Sequence, residues 1–148
     1  MNLNSDNTKK GRDFQLRVQQ ALEGALGFEF DLEVKLPIGV PPKTHPFDLA
    51  SRNRTIVAEC KAYTWTESGN VPSAKITTLR EAANYLLQLP TGTTTLIVMD
   101  RHCRRMKGEA LADYFVRLNS HLLGRVSLLE LSSDDTLRLV HGKFPSMQ

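Results

Sequence analysis

The order in which strand and helix patterns follow one another constrains this chain more than any single motif. Between Thr94 and Asp100 the run Leu96-Ile97-Val98-Met99 is continuously apolar, the composition of a buried strand. Helical patterns flank it. Ile76, Leu79, Ala83, Leu86 and Leu87 predict a helix over Ser73–Leu89, ended by Pro90 and Gly92. Leu111, Tyr114, Phe115, Leu118 and Leu122 predict another from Gly108 to Leu123. Nearer the N-terminus, Phe14, Val18, Ala21, Leu22, Ala25 and Leu26 form a helical stripe from Lys10 to Leu26, and Gly27 stops it. Phe28 to Leu36 alternates apolar and charged residues with a period of two, a half-buried strand. Pro37, Gly39, Pro41, Pro42 and Pro46 predict a long loop. Phe47–Ser51 and Thr55–Tyr63 read as two strands joined at Arg52-Asn53-Arg54, with Val126–Leu131 and Leu137–Val140 as later strands. Meander strands thus come first and helix–strand alternation follows. That order predicts an α/β layered domain, a mixed sheet with helices on its faces.

The 148 residues fit one domain over 1–148, with residues 1–8 expected to form a disordered tail. Lys and Arg number 19 against 16 Asp and Glu, a net charge of +3 that points only weakly to an anionic partner. Two cysteines, Cys60 and Cys103, are too few for a disulfide scaffold and lack the spacing of a closed zinc site. The N-terminal residues carry no apolar signal segment, and no stretch approaches the ~18 apolar residues of a membrane span. The expectation is a soluble, cytoplasmic protein with no membrane partner.

The chemistry concentrates in Pro46-Phe47-Asp48 and Glu59-Cys60-Lys61. In the strand from Thr55, alternation puts Ile56, Ala58, Cys60 and Ala62 on one face and Val57, Glu59, Lys61 and Tyr63 on the other. The first face reads as core. On the neighbouring strand Asp48 is expected to point opposite to Phe47 and Leu49, so that the hairpin brings Asp48 to Glu59. Two close carboxylates repel unless a cation lies between them, and hard oxygen donors suit Mg²⁺ or Mn²⁺. A neighbouring lysine can orient or deprotonate water, or steady charge on a phosphoryl group.

Pro-Phe-Asp, ten intervening residues and Glu-Cys-Lys resemble the PD-(D/E)xK nucleases, which share the restriction-endonuclease-like fold. The resemblance covers residues 9 to 100 and includes the order of the αβββαβ core, to which this chain adds a C-terminal helix and strand. It implies Asp48 and Glu59 as metal ligands, with the backbone carbonyl of Cys60 as a further one. It implies Lys61 as the catalytic lysine and Mg²⁺ or Mn²⁺ as cofactor in the hydrolysis of DNA, duplex or branched, by an endonuclease expected to act as a homodimer. The first-helix position where such proteins usually carry Glu holds Gln15, an amide that accepts hydrogen bonds but brings no charge. Asp13 and Glu23 lie on the same helix as possible substitutes. A catalytically weak nucleic-acid-binding module and a protein-interaction subunit are the alternatives.

Around this centre, Lys75 in the first turn of its helix, Tyr63, and the run Arg101, Arg104, Arg105 and Lys107 are candidate nucleic-acid contacts. Each cation has a competing reading as a solvated surface charge. Trp65 reads as packing in preference to base stacking, and His45 and His102 as structural.

Overall fold

The computed structural model describes residues 3–105 and 108–145. A six-stranded mixed sheet runs in the spatial order of its sequence. Its strands are β1 (Phe30–Ile38), β2 (Lys43–Ser51), β3 (Ile56–Lys61), β4 (Thr94–Asp100), β5 (Ser127–Leu131) and β6 (Leu137–His141). The helices are α1 (Leu3–Leu26), α2 (Ser73–Leu87) and α3 (Leu111–Leu123). β1, β2 and β3 form an antiparallel meander; β3, β4 and β5 are mutually parallel; β6 returns antiparallel. Parallel neighbours need a crossover, and α2 and α3 supply it. Among the described residues no helix is long and apolar enough to cross a membrane.

Most of the α1 stripe holds: Phe14, Val18, Leu22 and Leu26 are buried and Ala21 partly so, but Ala25 is exposed; Gly27 ends the helix at φ +81°. The buried residues pack with Leu49, Ala58, Leu96 and Val98 on one face of the sheet. On the other face Ile76, Leu79 and Leu86 of α2 and Phe115 of α3 meet Phe47, Val57, Ile97 and Met99. The sheet is therefore covered on both sides. This agrees with the expected mixed sheet with helices on its faces.

Other expectations shift too. α1 starts at Leu3, well before Lys10, and α3 starts at Leu111, not Gly108. Leu118 and Leu122 are exposed, because α3 turns Leu111, Ala112, Phe115, Asn119 and Leu123 inward instead. The long loop expected from Pro37 to Pro46 is a β-hairpin with a short turn after Ile38. Its prolines are tolerated because this outer half is paired on one side only: the ladder of β2 with β3 holds Leu49 and Ala50, and Pro46 lies beyond it.

The hairpin also breaks the alternation that sequence predicts. Phe30 and Leu49 pack in the α1 layer, whereas Val34 and Phe47 pack in the layer of α2 and α3. The inversion falls at Glu33 and Asp48, which lie between the pairs Leu32↔Leu49 and Val34↔Phe47. Glu33 has φ +53°, a left-handed backbone that breaks the pleat. Phe47 and Leu49 thus face opposite sides, contrary to expectation.

Candidate active site

Antiparallel pairing of β2 with β3 at Leu49↔Ala58 carries Asp48 to the side of Glu59. Each residue serves the other strand's backbone. The Asp48 N–H donates to Glu59 Oε1 at 3.2 Å, and the Cys60 N–H donates to Asp48 Oδ2 at 2.7 Å. These bonds fix two carboxylates next to each other in a largely buried position. Burial, reinforced by the Asp48 charge, pushes the Glu59 pKa up to about 8. Burial also raises that of Asp48.

Lys61 Nζ lies 3.7 Å from Glu59 Oε2. Burial by itself would lower the Lys61 pKa, but the carboxylates of Glu59 and Asp48, together with Tyr63, outweigh it and raise it. The ammonium therefore keeps its proton. Cys60 directs its thiol toward the α1 layer, where burial first and the two carboxylates second raise its pKa well above the ordinary value.

Gln15 reaches this cluster from α1. Its Nε2 donates to the Asp48 carbonyl at 2.7 Å and to Glu33 Oε1 at 2.9 Å. Glu33 is the residue that sequence reasoning missed. Strict alternation makes it one more outward charge of β1, and only its left-handed backbone brings it here. The two proposed substitutes on α1 are not recruited. Glu23 accepts the Phe30 N–H at 2.9 Å, and Asp13 lies in a separate depression with Lys9, Arg17 and Asp100.

Asp48, Cys60, Lys61 and Gln15 open on a groove of about 530 Å³ between α1 and the segment after β3. Tyr63 and Lys75 line it as candidates, and Lys75 Nζ sits 4.9 Å from the Tyr63 ring centroid. Lys10 and Gly11 of α1 line it as well.

The arginine run does not line the groove. Arg101 is held by Glu130 at 2.9 Å, and Arg105 donates to the Ser68 carbonyl at 3.4 Å. Arg104 donates to the Gly69 carbonyl at 2.6 Å and lies 4.8 Å from the Trp65 ring. Arg104 and Arg105 brace the loop that follows β3, and Arg101 ties the end of β4 to β5. Lys107 lies outside the described residues. Trp65 is buried, with its Nε1–H on the Glu109 carbonyl, and its backbone N–H donates to His102 Nδ1. His45 stacks on Tyr85, 3.9 Å between ring centroids. All three match their structural readings.

The donor set fits a hard divalent cation. Burial raises the pKa of both carboxylates and the Asp48 charge raises that of Glu59 further, a cost that a cation between them would relieve. Among the described residues no three His, Cys, Asp or Glu side chains form a metal cage. The direct protein donors would then be Asp48, Glu59 and the Cys60 carbonyl, with water completing the shell. Compared with family models, with curated proteins and with solved structures, the chain matches none.

Proposed function

We propose that this chain is a metal-dependent endonuclease of the PD-(D/E)xK type, with a restriction-endonuclease-like fold, that hydrolyses phosphodiester bonds in DNA. One observation carries the reading: Asp48, Glu59 and Lys61 meet at the C-terminal end of β3, beside a groove lined by Lys10 and Lys75. The helix–meander–helix–strand order of the first six elements supports the fold.

Mg²⁺ or Mn²⁺ bound by Asp48, Glu59 and the Cys60 carbonyl would supply Lewis acidity and a more acidic water. The chain's own residues do the rest. Asp48 carries negative charge where the cation is wanted, and Glu59 would add its own on giving up its proton to bind. Lys61, protonated, steadies charge on the phosphoryl oxygens and does not take the water's proton. Lys10 and Lys75 bind flanking phosphates, and Tyr63 holds the Lys75 ammonium in place. Cutting both strands of a duplex calls for a second copy of so small a site, so a homodimer belongs to this reading.

Gln15 favours a second reading, a nuclease-fold module that binds DNA without cutting it. The test is incubation of plasmid and branched DNA with Mg²⁺, Mn²⁺ or EDTA. Cation-dependent cleavage that Lys61→Ala removes supports the nuclease. Salt-sensitive binding without cleavage leaves the second reading. No binding at low salt ends both.

A further inference from the structure

Gln15 is only 8% exposed, and its amide nitrogen is fully committed. Nε2 donates to the Asp48 carbonyl and to Glu33 Oε1, at 2.7 and 2.9 Å. The reversed amide would set its oxygen against two acceptors, so this network fixes which way the group faces. With the nitrogen spent, Oε1 is the atom Gln15 has left for the groove it lines.

The second partner is held there at a conformational cost. Glu33 is a side-chain-bearing residue within a strand, yet its φ is +53°. Such a backbone persists where the surroundings impose it, and it gathers at functional sites. An amide at position 15 also follows from this arrangement. A carboxylate there would face the Glu33 carboxylate and the Asp48 carbonyl with no hydrogen to offer either.

We infer that Glu33 is a positioning residue: it clamps the Gln15 amide so that Oε1 is a fixed acceptor for the attacking water beside Asp48. This rests on the nuclease reading above. Glu33 acts through Gln15, and an acceptor at position 33 is what matters, more than its charge.

Two substitutions in the full chain separate the possibilities. Glu33→Gly removes the acceptor and relieves the left-handed backbone, which glycine adopts freely. Glu33→Gln keeps an acceptor and removes the charge. The expected result is a Glu33→Gly variant that melts no lower than wild type and cleaves about tenfold more slowly in kcat, with KM little changed. Glu33→Gln should stay within about threefold of wild type. A purely structural Glu33 would lose melting temperature together with activity. A Glu33 acting by charge would leave Glu33→Gln as slow as Glu33→Gly. Either result overturns the inference, as does full activity in Glu33→Gly.

A second readout is independent of cleavage. The side-chain NH₂ hydrogens of Gln15 should exchange slowly in wild type and Glu33→Gln by NMR, and faster in Glu33→Gly. Unchanged exchange in Glu33→Gly overturns the clamp. If wild type does not cut DNA, the nuclease reading falls alone, and these signals still decide whether Glu33 holds Gln15.

Discussion

Asp48 gives its backbone N–H to the carboxylate of Glu59, 3.2 Å away, while its own carboxylate lies close enough to raise the Glu59 pKa. One contact holds the pair together and the other pushes it apart. That tension is what a cation bound as proposed would relieve, and it yields the first prediction. Asp48→Asn keeps an oxygen to accept the Cys60 N–H but removes one charge. The cation-free protein should melt about 2–4 °C higher, as a gain of about 1 kcal/mol produces at this size. Stabilisation by Mg²⁺ or Mn²⁺ should vanish, along with cleavage. Scanning calorimetry with EDTA and with the cation measures both; an unchanged response to the cation would remove Asp48 from the metal site.

The second prediction concerns pH. Glu59 moves from an ordinary 4.5 to about 8 on folding, so between these values the folded chain binds more protons than the unfolded one. Stability is then fully present below pH 4.5 and is lost as pH rises through about 8, a fall on the order of a few kcal/mol in EDTA. Asp48, also raised by burial, adds in the same direction. Lys61 keeps its proton throughout this window. Added Mn²⁺ should oppose the trend, because carboxylates bind metal when deprotonated. Denaturant melts across pH 5–8.5 test this. A wild-type slope equal to that of Glu59→Gln would refute it.

The cations of the groove and those of the arginine run should behave differently. Lys10→Ala and Lys75→Ala should each weaken DNA binding and reduce the salt slope by about 0.9. Arg104→Ala should leave the slope unchanged and cost about 1 kcal/mol of stability, since its guanidinium braces the Gly69 carbonyl and Trp65. Binding measured over a salt series decides; the reverse assignment would move the substrate path to the loop after β4.

Gly11 sits inside α1, where a Cβ would meet nothing within 4 Å. Gly11→Ala should therefore stabilise the protein by about 0.5–1 kcal/mol. It also lines the groove, so the added methyl group should weaken DNA binding while folding improves. Equal affinity in the more stable variant would show that substrate does not approach the helix there.

What the sequence determined by itself was periodic. Phe14, Val18, Leu22 and Leu26 of α1 and the apolar run of β4 bury as their spacing requires, because helix and strand periods are properties of a few neighbouring residues. Asp48, Glu59 and Lys61 were legible for a similar reason: a short turn at Arg52-Asn53-Arg54 brings β2 back along β3 and sets Asp48 beside Glu59. Tertiary structure decided the rest. It turned Val34 and Phe47 to the opposite face from Phe30 and Leu49, joined Gln15 of α1 to Glu33 of β1 and Asp48 of β2, and drew Arg101 and Arg104 onto protein partners. None of this has a local signature. The inversion at Glu33 is a backbone state imposed by packing on both faces of the hairpin, and a side chain's partner across the fold is set by which elements meet.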